Sequence, residues 1–404
     1  MSALRIPTSL SKDRYAKIYQ ILLGLPPPHP PPKVAVITDI AKDYDDLMAL
    51  VVLKELHRLG LVQIIGVVAN LHPSYKRARF ARGALKTLGL GSIPVAYGTK
   101  GSEREHEVYP YEFEGCQFEV DDDEELQTGN ELLLKLYLDA ERRNEQVVLL
   151  LISPMQDIAE FADANPDLVA KRTAHVHIQG NNTISPQYEL RPDPQAANNA
   201  FHLTAAISFH AFLSTYKIPS TTYTKSAAIA CALSPEFFAA LAHTGHPLGL
   251  QLHQTQLFQE TAFYVTACDP LRRFSPDRDG TWFLKTRTNW FDPARQDYNP
   301  QKLDDPPVGK DIIPYLTKVI VYDAIAILGA AGERMASAFG LFEPLKRGES
   351  VHPIIGIDSE RPGVQVEVTK DVLGALSEGA LLSVLQGMPS HPSVMKEELL
   401  NTEG

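Results

Sequence analysis

Short continuous apolar runs alternate with longer amphipathic stretches along the first quarter of the chain. The runs at 34–37, 62–68 and 93–96 have the length and composition of strands that are buried on both faces. The stretches at about 45–59 and 74–88 carry apolar residues at helical spacing. This alternation of strand and helix is typical of a parallel sheet with helical crossovers.

The same alternation continues toward the C-terminus and predicts the remaining elements. They are strands at 147–152, 174–178 and 364–368, and helices at about 11–23, 155–162, 196–212, 237–242 and 372–385. The segment at 315–331 again has the pattern of a buried one. We therefore expect an α/β fold, a single large domain with a mostly parallel central β-sheet flanked by helices.

Changes in amino-acid composition along the sequence divide the chain into several segments. Residues 1–32 are predicted to be an N-terminal extension that ends in a proline-rich spacer at 26–32. Residues 33–395 are expected to form the α/β domain, and 396–404 a C-terminal tail. Within the domain, an excess of charged, aromatic and turn residues at about 250–314 indicates an insertion.

Net charge and cysteine usage exclude several classes of protein. The formal net charge of −11 argues against a nucleic-acid partner, and the basic residues at 76–82 are predicted to be the solvated face of a helix. Cys116, Cys231 and Cys268 are too widely spaced for a zinc site or a disulfide scaffold. Since the chain also has no apolar run of membrane-spanning length and no signal-like N-terminus, we expect a cytoplasmic protein that does not contact membranes.

The candidate chemistry is concentrated in the segment that follows the first predicted strand. Asp39, Asp43, Asp45 and Asp46 place four carboxylates directly between that strand and a helix, and α/β sheets bind ligands at the carboxyl ends of their strands. Crowded like charges repel one another, and a hard cation removes that cost. An irregular set of oxygen ligands suits Ca²⁺ better than Mg²⁺. The alternative is an acidic turn that caps the helix, which accounts for one or two aspartates rather than four.

This segment resembles the start of the inosine–uridine-preferring nucleoside hydrolase family, in which a strand is followed by Asp-x-Asp-x-Gly-x-Asp-Asp and a helix of small residues. Asp39, Asp45 and Asp46 match that pattern. Ala41 stands where the family has its second aspartate, a metal ligand that also holds the attacking water, and Asp43 stands where it has glycine. The resemblance implies a Ca²⁺ and ribose site in which Asp43, supported by Asp39, would replace the missing ligand.

The likeness extends through most of the chain and implies further site residues. Asn70 ends the second strand, where the family has a ribose-binding asparagine. Ile152 precedes a turn that resembles the family's Gly-Pro-Leu-Thr-Asn turn, in which a backbone carbonyl binds the metal. Glu189 stands where the family has another ribose-binding asparagine.

The family also has a late aspartate that binds the metal and usually follows a catalytic histidine. Asp269, after Cys268, matches the letters of that pattern, but the arginines and proline that follow are incompatible with a buried helix. Asp323, after Tyr322, begins an apolar segment suited to one, and we favour it. The aromatic residues of the insertion then either line a base pocket or form a local hydrophobic cluster; they are Trp282, Phe283 and Trp290.

The function implied by the resemblance is hydrolysis of the N-glycosidic bond of a ribonucleoside or related N-ribosyl compound, by water that attacks C1′. The implied metal ligands, for Ca²⁺ or alternatively Mg²⁺, are Asp43, Asp46, Asp323 and the Ile152 carbonyl. The implied catalytic residues are Asp39, Asp43 and Tyr322, and the implied substrate-binding residues are Asp45, Asn70 and Glu189. The alternative is a ribosyl-metabolite binding protein that lost turnover with Ala41. The resemblance also implies a homodimer or homotetramer.

Overall fold

The computed structural model describes residues 5–26, 30–118, 120, 125–184, 189–303, 305–343, 351–356 and 363–390. Its strands are β1 (Lys33–Thr38), β2 (Gln63–Ala69), β3 (Val95–Tyr97), β4 (Gln127–Thr128), β5 (Val147–Leu151), β6 (Thr173–Gly180), β7 (Asn182–Ile184), β8 (Leu190–Pro192), β9 (Ser220–Thr224) and β10 (Ile354–Ile355).

Its α-helices are α1 (Asp13–Gly24), α2 (Tyr44–Arg58), α3 (Ser74–Thr87), α4 (Gly129–Arg143), α5 (Gln156–Ala164), α6 (Pro166–Arg172), α7 (Ala197–Phe201), α8 (Leu203–Tyr216), α9 (Lys225–Ala230), α10 (Pro235–His243), α11 (Pro247–Cys268), α12 (Gly280–Arg287), α13 (Ala324–Ala330), α14 (Glu333–Phe339) and α15 (Val366–Leu385). Short 3₁₀ helices lie at Pro110–Glu112, Pro300–Lys302 and Gly309–Tyr315.

The central sheet has eight strands in the order β10-β9-β6-β5-β1-β2-β3-β4. Each pairing between neighbouring strands in it is parallel, whereas β7 and β8 form a separate antiparallel pair. The apolar run of β1 is continuous because the strand lies in the interior of the sheet and is covered on both faces. The expected α/β fold with a mostly parallel central sheet is confirmed.

The strand order changes direction at β1. The chain runs outward from β1 through β2, β3 and β4, and then places β5 on the other side of β1. At such a point the two crossovers diverge and leave a crevice at the carboxyl ends of the strands. The crevice therefore lies where the chain leaves Thr38 and Leu151.

Helices cover both faces of the sheet, and each face has its own hydrophobic core. One core includes α2, α3, α13 and α15, and the other includes α4, α5 and α8. The first core also includes α1, whose Tyr15 and Tyr19 pack on α15. A Cβ at Gly374 or Gly379 would lie 2.1 or 1.7 Å from the hydroxyl of the facing tyrosine, so both positions require glycine. The segment at 13–24 thus belongs to the packed structure.

The C-terminal region differs from the expected secondary structure. The strand expected at 364–368 is wrong, because Val366 begins α15 and Val364 forms only an isolated bridge with Phe342. Alternating valines favour a strand locally, but this segment continues into a helix that is buried against α2, and tertiary packing overrides the local preference. The last strand of the sheet is β10, which pairs with β9.

The single helix expected at 196–212 is divided into α7 and α8. The break lies at His202, whose φ of −144° and ψ of 77° are not helical. Its imidazole accepts a hydrogen bond from the Ala205 amide and thereby caps α8.

The aromatic residues of the 250–314 segment form a local hydrophobic cluster. Phe283 and Trp290 are buried together with Tyr264, and Trp282 packs at their edge. The cluster is formed by α11, α12 and the 3₁₀ helix at Gly309–Tyr315. Of the two alternatives for these aromatic residues, the structure shows the cluster.

The described ranges contain no helix with both the length and the apolar character needed to cross a membrane. Cys116, Cys231 and Cys268 are free thiols. Burial raises the pKa of Cys231 to about 12, so this thiol stays protonated at neutral pH.

A buried ionic network on α2 joins this helix to α1 and α15. Glu55 accepts hydrogen bonds from Tyr19 and from Arg58, each at 2.6 Å, and pairs with Lys54 at 3.2 Å. Burial raises the pKa of Glu55, but the two neighbouring cations outweigh burial and hold it at about 2. Glu55 is therefore ionised at neutral pH.

We expect Glu55→Ala to destabilise the fold by about 3–5 kcal/mol, because it leaves Lys54 and Arg58 buried without a counter-charge. Glu367 is the matched control, since its carboxylate is exposed and pairs with Lys370 on the surface of α15. Glu367→Ala is expected to change stability by less than about 0.5 kcal/mol. Urea denaturation measures both, and equal effects of the two variants would contradict the role of the network.

The contribution of Glu55 to the stability of the fold depends on pH, and its pKa gives the direction of that dependence. The folded-state pKa of Glu55 lies below the ordinary value of 4.5, so its contribution is fully present above pH 4.5 and is lost as the pH falls toward 2. We expect the stability difference between wild type and Glu55→Ala to shrink over that interval. A difference that stays constant in urea titrations at several pH values would contradict it.

Candidate active site

The loop after β1 has a defined shape because its own side chains bind its backbone. Ala41 has a φ of 74°, which turns the chain sharply before α2. The Thr38 hydroxyl accepts a hydrogen bond from the Ile40 amide at 3.1 Å and donates one to Asp46. These contacts connect the end of β1 to the first turn of α2.

A buried arginine supports the same loop from α3. Arg77 donates to the carbonyls of Asp39 and Ile40, at 3.5 and 3.3 Å, and to the Glu112 carboxylate at 2.6 Å. The basic segment at 76–82 is therefore not simply a solvated helix face, because Arg77 is completely buried. The spacing of basic residues could not reveal this, since the acceptors lie elsewhere in the chain.

Five carboxylates converge at the carboxyl end of β1. Asp39 lies in the loop, Asp43 is the N-cap residue of α2, and Asp45 and Asp46 lie in the first turn of that helix. One oxygen from each of Asp43, Asp45 and Asp46 lies within 4.8 Å of the others. Asp323 is the N-cap residue of α13 and lines the same cleft.

Four of these carboxylates are buried and Asp43 is half-buried, and the set is incompletely hydrogen-bonded. Asp39 is 1% exposed and Asp323 is 4% exposed. Among the described residues, one oxygen on each of Asp39, Asp43 and Asp45 has no hydrogen-bond partner. Asp43 makes no side-chain hydrogen bond that caps α2, so helix capping does not account for the cluster.

The electrostatics of the cluster favour uptake of positive charge. Burial is the main cause that raises the pKa of Asp45, Asp46 and Asp323 well above the ordinary carboxyl value. Repulsion from the neighbouring carboxylates raises each of the three further. A bound cation opposes both effects, because it stabilises the ionised form of the carboxylates.

Lys42 neutralises part of the cluster. Its ammonium lies 2.6 Å from Asp43 Oδ2 and 3.8 Å from Asp39 Oδ2. Burial raises the pKa of Asp43, but Lys42 and neighbouring hydrogen bonds outweigh it and bring the pKa to about 2. Burial raises the pKa of Asp39, and Lys42 only partly opposes that shift. The two carboxylates thus differ in their affinity for a proton.

The aspartate cluster is one side of a cleft of about 240 Å³. The carboxyl ends of parallel strands meet at one edge of a sheet, so the loops after β1, β5, β6 and β9 all contribute to it. The other lining residues are Lys42, Ile152, Gln179, Gly180, Gln195, Ala196, Ala197, Asn198, Lys225, Phe274, Arg278 and Tyr322.

Most of the residues expected from the sequence meet in this cleft. They are Asp39, Asp43, Asp45, Asp46, Ile152, Tyr322 and Asp323. The Tyr322 amide donates to Asp45 Oδ2 at 3.2 Å, which connects the start of α13 to the first turn of α2. Burial raises the pKa of the Tyr322 hydroxyl, so it is protonated at neutral pH.

Three other candidates do not line the cleft. Asn70 is buried behind it and donates to the Pro154 carbonyl and to Asp157, both at 2.8 Å. Glu189 is exposed and pairs with Arg191 at 3.1 Å. Asp269 is the C-cap residue of α11, and its carboxylate accepts a hydrogen bond from a nearby backbone amide.

Several lining residues were not anticipated from the sequence. Lys225 follows β9, three strands from β1, and Arg278 lies near Lys225 and against the ring of Phe274. Gln179 and Asn198 also line the cleft and share a side-chain hydrogen bond of 2.7 Å. Lys225 follows β9 directly, and its position after a strand is the one signal that could have found it. Phe274 and Arg278 lie in an irregular segment that carries no such signal.

The donor set fits a divalent cation that prefers oxygen. Three carboxylates have a buried oxygen without a hydrogen-bond partner among the described residues, and three carboxylates approach one another closely enough to share an ion. All of the nearby ligand groups are oxygens, as Ca²⁺ and Mg²⁺ require.

The sequence matches no known protein-family profile and no curated protein. The structure is similar to that of the effector protein XOO4466, at 23% identity and a TM-score of 0.73, over 92% of this chain and 99% of that one. It is equally similar to the type III effector protein XopQ complexed with adenosine diphosphate ribose, at 22% identity and a TM-score of 0.73, over 92% of this chain and 99% of that one.

The structure is also similar to that of a purine-preferring ribonucleoside hydrolase from Gardnerella vaginalis. The identity is 14% and the TM-score is 0.54, over 86% of this chain and 99% of that one. The chain therefore has the nucleoside hydrolase fold, as the resemblance in its sequence implied.

We expect Asp46→Asn and Asp323→Asn each to weaken Ca²⁺ binding by about 100-fold or more, because each removes one anionic oxygen from the cluster. Asp269→Asn is the matched control and should leave binding unchanged, since Asp269 lies outside the cleft. Calorimetric titration with Ca²⁺ measures all three. If Asp269→Asn lost Ca²⁺ binding and Asp323→Asn kept it, Asp269 would be the late metal ligand in place of Asp323.

We expect Lys42→Gln to bind Ca²⁺ at least about tenfold more tightly than the wild type does, because the Lys42 ammonium competes with the ion for Asp43 and Asp39. Lys285→Gln, an exposed site outside the cleft, is the control. The same titration applies, and weaker binding in Lys42→Gln would show that Lys42 supports the ligand geometry instead of opposing the ion.

Proposed function

We propose that this chain binds an N-ribosyl compound together with a divalent cation and hydrolyses its N-glycosidic bond to ribose and free base. The observation that supports this most directly is the convergence of Asp323 with the β1 carboxylates in one cleft. The two segments are far apart in sequence, and a solvated acidic turn would not need a distant buried carboxylate.

We propose that Asp43, Asp46, Asp323 and the Ile152 carbonyl hold Ca²⁺, with Mg²⁺ as the alternative ion. A bound ion of this kind lowers the pKa of water and contacts sugar hydroxyls. The Ile152 position supports this proposal, because it follows β5 at the point where the strand order changes direction. The Asn70 side chain donates to the Pro154 carbonyl in the same turn, and we propose that it positions the turn.

The proton of the attacking water needs a carboxylate acceptor. Asp43 is a weak base, because its contact with Lys42 helps to hold its pKa at about 2. Asp39 is the better candidate, since burial raises its pKa and Oδ2 has no hydrogen-bond partner among the described residues. We therefore assign the general base to Asp39.

Sugar and base would be held by the remaining groups. Asp45 has one oxygen engaged by the Tyr322 amide and one without a partner in the described structure, and the latter suits a ribose hydroxyl. The protonated hydroxyl of Tyr322 could donate to the departing base. The expected ribose roles of Asn70 and Glu189 stay predictions.

A second candidate function is binding of a ribosyl metabolite without turnover. Ala41 favours it, because the side chain in the position of the family's second aspartate cannot hold a water. The structure of XopQ contains adenosine diphosphate ribose, which supports a ligand with a ribosyl group for either function. The two are separated by incubating the Ca²⁺-loaded protein with nucleosides and with this compound, and measuring binding and released ribose in parallel.

We expect Ala41→Asp to raise the rate of ribose release by about tenfold or more, because it restores an acceptor beside the attacking water. Aspartate tolerates a positive φ such as the 74° at this position. Ala41→Asn is the matched control, with the same shape and no charge. If the wild type releases ribose and Ala41→Asp releases it more slowly, Asp39 already acts as the proton acceptor. If neither protein releases ribose although both bind the ligand, the chain is a binding protein.

A further inference from the structure

The cleft has two sides of opposite charge. The aspartate cluster lies at β1, whereas Lys225 follows β9, three strands away, and Arg278 lies close enough to Lys225 to repel it. Neither cation has a carboxylate within 4.0 Å among the described residues. Burial lowers the pKa of Lys225, and repulsion from Arg278 lowers it further. The exposed Asp277 carboxylate interacts with Arg278 only at longer range. Two cations therefore share one space, and neither forms a close ion pair with a carboxylate of the described residues.

The two sides are separated by the width of several strands. Lys225 follows β9, and β6 and β5 lie between β9 and β1. Neighbouring strands are about 4.8 Å apart, so the ends of β1 and β9 are roughly 14 Å apart. The uncharged amides of Gln179 and Asn198 lie in the same cleft. A ligand that contacts both sides is longer than a ribosyl group and carries its negative charge at the end away from the aspartates.

An exposed aromatic ring positions the arginine. Phe274 is 74% exposed although it lines the cleft. The Arg278 guanidinium lies 5.0 Å from the ring centroid of Phe274 and 5.8 Å from that of Trp282. Stacking of this kind restrains the guanidinium and leaves its donors available. A planar guanidinium beside a lysine is a donor set that suits phosphate oxygens.

We propose that Lys225 and Arg278 form a phosphate subsite, and that the ligand is a phosphorylated N-ribosyl compound of the nucleoside diphosphate class and not a free nucleoside. This inference rests on the proposed function, because it takes the ribosyl end to lie at the aspartate cluster. The opposite charges fix the direction of the ligand, since the aspartates repel phosphate and the two cations attract it.

The test compares adenosine with adenosine 5′-diphosphate, by calorimetry at one buffered concentration of free Ca²⁺. We expect the wild type to bind adenosine 5′-diphosphate at least about tenfold more tightly than adenosine. Lys225→Gln/Arg278→Gln should lose this preference and keep the affinity for adenosine, and Lys285→Gln should keep both. Neither Lys225 nor Arg278 belongs to a hydrophobic core, so the double variant should fold, which its melting temperature verifies.

The outcomes separate this inference from the proposed function. Equal affinities for the two compounds, both lost in Asp46→Asn, would overturn the phosphate subsite and leave the ribosyl site standing. Tight diphosphate binding that depends on Lys225 and Arg278 but survives Asp46→Asn would support the subsite and contradict the ribosyl site. Binding of neither compound would overturn both.

Discussion

Five carboxylates, four of them buried, lie together at one edge of the sheet, and the surrounding structure has to hold them there against their mutual repulsion. Buried charges without compensation cost as much free energy as a fold of this kind has to spare. The chain compensates with Lys42, with the hydroxyl of Thr38, and with the N-termini of α2 and α13, which both begin at the cluster. The oxygens that still lack partners in the described structure are the groups that a cation and a sugar would satisfy.

The scaffold holds this unfavourable cluster because the elements that present it are rigidly packed. α2 is buried between α15 and the sheet, and Glu55 joins it to α1 through Tyr19. Arg77 fixes the loop from the other side. The residues around the cluster therefore have little freedom to separate and reach water, which is the motion that would otherwise relieve the repulsion.

The charges along the cleft explain why the alanine at position 41 does not by itself prevent ligand binding. Ala41 removes one acceptor next to the proposed water, but the groups that would hold an ion and a ribosyl group are present, and so are two cations on the far side. Under the proposed function, affinity and turnover would depend on different residues. Binding would then persist without turnover, and turnover would require Asp39 to replace the missing aspartate.

Local sequence pattern was sufficient to predict the elements from β1 through α3, the parallel sheet, and the acidic segment from Asp39 to Asp46. It also favoured Asp323 over Asp269, because a buried helix requires an apolar segment after its N-cap. Three features became visible only in the folded structure: the start of α15 at Val366, the burial of Arg77, and the placement of Lys225 and Arg278 across the cleft from the aspartates. These features depend on contacts between residues far apart in the chain, which periodicity and spacing do not encode.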